Sequence, residues 1–248
     1  MSAGTLENPV AEAKRLLAAV GDAAPLRALG GVAIRMRMPD TAHPALLREP
    51  KDIDFFTTPK AGRPLAHALT AQGYRADEEF NAFHGARRLL FHDPERGRQI
   101  DIFVGAFEMC HTIPLARRGL TEPLTLPLAE LLMMKLQIVE INEKDERDAM
   151  ALLAYHPVGD GDGETVNAQQ IALLCRDDWG LWRTLTRNLT RLLVATERIG
   201  IESLATVVRQ HASDLQARLE EVDKSFRWRL RNRIGDRLRW YEEPDEVT

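Results

Sequence analysis

The chain has 248 residues, of which 44% are hydrophobic and 28% charged, with 16 Gly and 13 Pro. This composition excludes a disordered, collagen-like or low-complexity protein, and the length supplies enough apolar surface for one large domain or two unequal ones. The formal net charge of −4 argues against a protein covered in positive potential, and so against general non-specific binding of nucleic acid.

The cysteines and the hydropathy pattern bear on the cellular compartment. Cys110 and Cys175 are too few and too far apart for a disulfide framework or a cysteine-based zinc site, which favours a reducing environment. No charge-free apolar run approaches the roughly 20 residues that a membrane span needs, and the N-terminus lacks the basic-then-apolar order of a signal peptide. We therefore expect a cytoplasmic protein without a membrane segment.

The N-terminal half is predicted to mix helices and strands. Asn8 followed by Pro9 is typical of a helix start. The segment KDIDFFTT at 51–58 is rich in β-formers and bounded by prolines, which predicts a strand. The predicted elements are a helix ending at Gly21, a strand over 26–29, a Gly30-Gly31 turn leading to a helix over 32–38, the strand over 51–58, a helix over 63–72 stopped by Gly73, and a β-hairpin of 87–92 with 99–104.

The C-terminal half is predicted to be helical. The stretch PVGDGDGE at 157–164 has three glycines and three acids, which neither pack nor hold a helix, so we place a linker there. The predicted domains are 1–158 and 165–248, and the predicted fold class is α/β (α+β), a small mixed sheet with helices followed by an all-helical domain. The predicted helical segments are 128–141, 145–155, 171–193, 201–211 and 215–241.

The triplet Asp52-Ile53-Asp54 is the most informative chemical feature. Alternation along a strand puts both carboxylates on one side and Ile53 on the other. Two like charges at that spacing repel and need a cation, for which Mg²⁺ is the natural candidate because it prefers carboxylate oxygens. The alternative is an edge strand that carries polar residues on its solvent face, and the triplet alone leaves both open.

Two further features favour the metal interpretation. Asp101 lies inside the apolar run 100–103, where a carboxylate needs a partner. Together with Asp52 and Asp54 it completes a three-carboxylate, two-metal site of the kind that clamps the oxygens of a phosphoryl or nucleotidyl displacement. Gly30 and Gly31 before a helix let the backbone approach phosphates at the helix N-terminus.

These motifs resemble the nucleotidyltransferase superfamily, which includes DNA polymerase β and the aminoglycoside nucleotidyltransferases, and within it the abortive-infection type nucleotidyltransferase toxins. The superfamily pattern is a glycine turn opening a helix, a strand with two alternating aspartates, and a later strand with one acid between apolar residues. The toxin branch adds an arginine before the aspartates and a Leu-Leu-x-x-Lys-Leu helix followed by Asp-x-x-Asp. The matching segments are GGVA at 30–33, Arg48, KDIDF at 51–55, IDI at 100–102, LLMMKL at 131–136 and DERD at 145–148.

The resemblance, which spans roughly residues 25 to 155, implies a toxin–antitoxin-like nucleotidyltransferase that uses an NTP and two Mg²⁺ ions. Asp52 and Asp54 would hold both ions, while Asp101 would bind the catalytic one and take the proton of the acceptor hydroxyl. The acceptor stays open between a small molecule, tRNA and a protein, and so does the oligomeric state. The implied nucleotide-binding residues are Gly30, Gly31, Val32, Arg48, Lys51, Lys135 and Asp148.

Several of these residues have other interpretations. Val32 departs from the superfamily pattern, which usually has Ser or Thr after the glycines. The missing hydroxyl favours the alternative function, a catalytically silent protein of this fold that binds a nucleotide or a partner. Lys135 could instead extend from an apolar helix face to water, Asp148 could pair within its own helix bundle, and Lys51 could be a solvated residue before a strand.

The segment from Lys224 to Arg239 has seven basic residues against one acid, Asp236. Its apolar residues recur every three or four positions, which is typical of a packed helix with arginines on the other faces. One interpretation is a solvated helix whose arginines pair with the acids of 220–223 and 242–246. The other is an RNA-contacting or phosphate-contacting ridge in which arginines alternate with Trp228 and Trp240. The apolar residues in question are Phe226, Leu230, Ile234, Leu238 and Tyr241.

Overall fold

The structure, a computed structural model, describes residues 4–21 and 23–243. They form two compact units. The first comprises the residues up to Arg37 together with Glu49–Phe107 and Pro114–Pro127, and the second comprises Met38–Arg48, Glu108–Ile113 and the residues from Leu128 onward. The domains 1–158 and 165–248 stay a prediction, and their ends at 1–3 and 244–248 lie outside the described residues.

The first unit contains a mixed sheet and four helices among its described residues. Asn8 caps the first helix as predicted, since its side chain accepts a hydrogen bond from the backbone N–H of Ala11 at 3.0 Å. Two short strands, β6 (Ala106–Glu108) and β7 (Thr112–Pro114), follow these elements along the chain, and their residues are divided between the two units. The elements of the sheet and the helices are α1 (Pro9–Val20), β1 (Leu26–Leu29), α2 (Gly30–Arg37), β2 (Ile53–Thr57), α3 (Gly62–Ala71), β3 (Arg75–Ala76), α4 (Glu78–His84), β4 (Arg88–Asp93) and β5 (Arg98–Val104).

The sheet has the strand order β1-β2-β5-β4-β3. β2 and β5 are parallel, whereas β1 with β2, β4 with β5, and β3 with β4 pair antiparallel. The β4–β5 pair confirms the predicted hairpin. On β2 and β5 the side chains of Ile53, Phe55, Ile100 and Ile102 are fully buried. This alternation leaves Asp54 and Asp101 on the other face of the two strands.

The second unit is mainly helical. Its elements are α5 (Leu128–Leu136), α6 (Glu143–Tyr155), β8 (Val158–Gly159), β9 (Val166–Asn167), α7 (Ala168–Asp177), α8 (Trp179–Ala195), α9 (Glu202–Glu221) and α10 (Phe226–Ile234), followed by a 3₁₀ turn at Gly235–Arg237. The short strand β8 lies within the predicted linker 157–164 and pairs in parallel with β9, which follows the linker. The α/β (α+β) class with a helical C-terminal part is therefore confirmed.

The helix bounds in this unit differ from the predicted ones at polar capping residues. Asp178 interrupts the helix predicted over 171–193, because its side chain accepts from the backbone N–H of Leu181 at 2.9 Å and starts α8. Ser225 likewise accepts from Trp228 N at 3.3 Å and starts α10. The bounds predicted for the helices 201–211 and 215–241 are wrong, since α9 runs unbroken from Glu202 to Glu221 and α10 ends at Ile234.

Over 4–21 and 23–243, no helix has both the length and the apolar character needed to cross a lipid bilayer.

Candidate functional site

Two predicted carboxylates lie side by side on the sheet of the first unit. Asp54 on β2 is directly paired with Asp101 on the parallel strand β5. Directly paired residues of neighbouring strands project to the same face, so both carboxylates lie on one side of the sheet. Asp101 is only 7% exposed and Asp54 is half-buried. The structure thus brings together two of the three acids singled out from the sequence.

Gly30 is placed against this pair by the strand on the other side. Leu29, the last residue of β1, pairs with Asp54, and Gly30 then opens α2 with a φ of +64°. A Cβ atom built on Gly30 would overlap Oδ2 of Asp54. Glycine is required here for two reasons, the left-handed backbone and the space taken by the carboxylate. The predicted glycine turn therefore adjoins the acids at the start of a helix.

The two residues after Gly30 offer a phosphate fewer polar atoms than the family pattern does. Gly31 lies in the first turn of α2, where backbone N–H groups lack partners within the helix. Val32 is completely buried, so its side chain belongs to the core and offers no polar atom to a phosphate. Any contact between this turn and a phosphate would therefore involve backbone N–H groups alone.

Asp101 has a partner that the sequence analysis missed. The guanidinium of Arg88 donates to both carboxylate oxygens, from Nε to Oδ1 at 2.7 Å and from Nη2 to Oδ2. The same guanidinium lies over the rings of Phe103 and Phe80, 5.1 and 5.8 Å from their centroids. Asp101 is thus held by a bidentate charged pair whose cation is itself packed against aromatic rings.

The hairpin pattern contained a signal for this pair. Arg88 lies opposite Phe103 and Leu90 lies opposite Asp101, so Arg88 is the diagonal neighbour of Asp101 on the same face. A long side chain reaches such a diagonal neighbour. The pairing of β4 with β5 depends on the geometry of the turn at 94–97, which the sequence pattern does not determine.

Asp52 and Lys51 lie at the entrance to β2. Both are exposed, and both precede Ile53, where the pairing with β5 begins. Among residues 4–21 and 23–243, no three His, Cys, Asp or Glu side chains are grouped so that they could hold a metal ion. The carboxylate oxygens of Asp54 and Asp101 are ligands of the kind that Mg²⁺ prefers, so these two residues fit one ion only if Asp101 gives up a hydrogen bond with Arg88. The approach of Asp52 to this pair, which a second ion requires, stays a prediction.

The other predicted nucleotide-binding residues form a cluster within the second unit. Lys135 on α5 lies 2.8 Å from Oδ1 of Asp145 and 2.9 Å from Oδ2 of Asp148, both on α6. Arg48 donates to both oxygens of Asp148, at 2.8 and 2.7 Å. Asp145 was missed, although its spacing of three residues from Asp148 places the two acids on one helix face.

Charge compensation within this cluster determines the protonation state of Lys135. Burial by itself would lower the pKa of Lys135, but the carboxylates of Asp148 and Asp145 raise it overall. The ammonium is therefore charged, and it is held between carboxylates instead of extending to water. Two cations and two anions balance, which is also the arrangement expected of a purely structural network.

The C-terminal basic segment corrects one further expectation. The apolar stripe was predicted to pack, but Phe226, Leu230 and Ile234 are exposed, and the buried face of α10 carries Trp228 instead. Asp236 pairs with Arg183 of α8, at 3.0 and 2.7 Å. Of the predicted pairings between the arginines and the acidic tail, one is present, because Arg239 lies 2.7 Å from a carboxylate oxygen of Glu243. The last acids of that tail, at 245 and 246, lie outside the described residues.

Comparison of the chain with models of known protein families finds no match. No curated protein matches it either.

Proposed function

We propose that this protein is a Mg²⁺-dependent, cytoplasmic nucleotidyltransferase that moves an NMP from an NTP to an acceptor hydroxyl and releases pyrophosphate. The observation that carries the proposal is the junction of three strands. Asp54 is in register with Asp101 on one side and with Leu29 on the other, and Gly30 follows Leu29 at the start of α2. Two acids and a glycine-opened helix N-terminus at one point of a sheet suit a metal-bound triphosphate.

Each residue of this junction would have a distinct role. Asp54 and Asp101 would hold Mg²⁺, which when bound neutralises charge on the phosphates and on the displaced pyrophosphate. The backbone N–H groups of Gly30 and Gly31 would bind phosphate oxygens. Asp101 would accept the proton of the acceptor hydroxyl, for which it must first be released from at least one of its hydrogen bonds with Arg88.

Lys135, Arg48 and Lys51 are proposed as nucleotide contacts from the family resemblance. Lys135 and Arg48 carry the positive charge that a triphosphate needs, but both already contact carboxylates. A phosphate could bind Lys135 only by replacing Asp145 or Asp148. Lys51, which is exposed, has no such obstacle. The roles of these residues follow from the family resemblance and not from the geometry.

The proposal is tested with purified protein, each NTP labelled at the α-phosphate, Mg²⁺ and a cell extract. We expect label in an acid-stable product and release of pyrophosphate in equal amount. Asp54→Asn and Asp101→Asn should abolish both while leaving the circular dichroism spectrum unchanged, and Asp40→Asn, an exposed aspartate, is the matched control. Transfer by the two site variants at the wild-type rate would overturn the assignment.

A second candidate function rests on two specific observations. Arg88 already compensates the charge of Asp101, and Val32 supplies no hydroxyl. Both suit a catalytically silent protein of this fold that binds a nucleotide or a partner without turning it over. In that case NTP with Mg²⁺ raises the melting temperature, but neither pyrophosphate nor labelled product forms in any extract.

A further inference from the structure

The helix α10 presents an uncovered apolar ridge to the outside of the second unit. Phe226, Leu230 and Ile234 follow one another at four-residue intervals and are 82%, 53% and 39% exposed. Leu238, just beyond the 3₁₀ turn, is 59% exposed. Single exposed apolar residues are ordinary, but a continuous row of large ones along one helix indicates a surface that binds something.

The ridge is held in place by the opposite face of the helix. Trp228 packs edge-on against Trp182 of α8, with ring centroids 4.9 Å apart, and Oδ1 of Asn232 accepts from Nε1 of Trp179 at 2.7 Å. Arg231 stacks on the ring of Trp179 and donates to the carbonyls of Gly235 and Leu238 at 2.6 and 2.7 Å. The exposed row is therefore a fixed feature of a docked helix.

Arginines flank the ridge on both sides. At 100° per residue, Arg229 and Arg233 lie on one flank of the row Phe226–Leu230–Ile234, and Arg227 lies on the other. All three are exposed, as is Arg237 in the turn. A partner that covers the ridge must therefore offer apolar side chains in the middle and negative charge at both edges.

We infer that α10 is a docking surface for an acidic amphipathic helix of another protein. An isologous contact between two copies would bring the arginine rows of both copies together, and like charges would oppose it. The chain also offers no second ridge: the other large apolar side chains that are exposed among residues 4–21 and 23–243 lie on different elements. They are Leu6, Phe83, Leu124, Leu173, Val194 and Val207.

Two other classes of partner fit the surface less well. Nucleic-acid bases stack on open aromatic faces, and the ridge offers one such face, that of Phe226, because Trp228 is buried and the ring of Trp179 is covered by Arg231. An anionic lipid surface would extend over the whole segment and so meet the exposed carboxylates of Asp236, Glu242 and Glu243, whereas a single helix that lies along Phe226, Leu230 and Ile234 covers only α10. The aliphatic character of Leu230, Ile234 and Leu238 is what a packed helix–helix contact uses.

The test uses the full chain and a fluorescein-labelled synthetic helix with Leu at every third or fourth position and Glu on both flanks. Saturable binding by fluorescence anisotropy is expected, weaker at high salt, and absent for a peptide of the same composition in scrambled order. Leu230→Ser with Ile234→Ser should weaken binding about tenfold, because buried apolar area is lost. Arg229→Gln with Arg233→Gln should weaken binding at low salt and flatten the salt dependence.

Val194→Ser, at an exposed position on α8, is the matched control and should leave binding unchanged. Because the ridge residues are exposed, the double variants should keep the wild-type melting temperature. The inference is overturned if the helical and scrambled peptides bind equally, if the ridge variants bind like wild type, or if single-stranded RNA, phosphatidylserine vesicles or a second copy bind at the ridge in place of the peptide. None of these outcomes depends on nucleotidyl transfer.

Discussion

Replacing Arg88 by Gln tests how Asp101 is held. Asp101 is 7% exposed, and its two oxygens accept from one guanidinium. The variant leaves a carboxylate with little access to water and no cation beside it. Loss of one partner of a buried pair costs about 3 to 5 kcal/mol, and the lower figure applies because the Arg88 side chain is 20% exposed. Each kcal/mol lowers the melting temperature of a chain of this size by about 2 to 4 °C, so about 6 to 12 °C is expected.

Thermal melts followed by circular dichroism measure this loss, with Arg63→Gln, an exposed arginine on α3 of the same unit, as the matched control. The double variant Arg88→Gln with Asp101→Asn should recover most of the stability, because it removes the uncompensated charge. Mg²⁺ should raise the melting temperature of Arg88→Gln more than that of wild type, since the ion no longer competes with the guanidinium. If Arg88→Gln melts like wild type, the pair of Arg88 and Asp101 does not stabilise the fold.

Three further changes have defined outcomes. Gly30→Ala should abolish the rise in melting temperature caused by NTP and Mg²⁺, because its Cβ would displace the Asp54 carboxylate. Gly97→Ala is the control: at φ +65° it carries the same backbone strain, but no atom lies within 4 Å of its Cβ, so the rise in melting temperature should remain. Lys135→Gln should lower the free energy of unfolding by about 3 kcal/mol in urea titrations, whereas Lys144→Gln on the exposed face of α6 should not. Burial raises the pKa of Glu12, but hydrogen bonds from Arg15 and Tyr74 lower it overall. The ionised carboxylate therefore stabilises the fold at pH values above its ordinary pKa of about 4.3, and this stabilisation is lost as the pH falls. The difference in melting temperature between wild type and Glu12→Gln should stay constant from neutral pH to about pH 5 and shrink at lower pH. A difference that grows on acidification would contradict the assignment.

Alternation along β2 predicted a shared face for Asp52 and Asp54, and Asp101 was singled out because it stands between apolar residues. The pairing of Asp54 with Asp101 follows from the β2–β5 register, and the sequence pattern does not predict which strands are neighbours in the sheet. Arg88 was missed for the same reason, because a diagonal contact is visible only once the hairpin register is known. Local rules were sufficient for the capped helix start at Asn8, where the signal lies within four residues. The cap at Asn142 was missed, because the predicted helix begins at 145 and α6 begins at Glu143.

The helix α10 shows a different limit. Periodicity identifies residues that share a helix face, and Phe226, Leu230 and Ile234 do share one. It does not say which face is covered by the rest of the protein, and here the aromatic cluster around Trp228 takes the buried side. The predicted packing of the apolar row is therefore wrong, and the choice between a solvated helix and an RNA-contacting ridge stays a prediction.

The central position of β5 has a consequence for the order of folding. β5 pairs with β4 through a short turn, which closes quickly, whereas its parallel contact with β2 joins distant parts of the chain and carries a larger entropy cost. The hairpin that contains both Arg88 and Asp101 can thus form first, with the acid already neutralised. In an intermediate that contains only this hairpin, Asp54 and Gly30 are not yet beside Asp101. Nucleotide binding measured during refolding would therefore report when β2 pairs with β5.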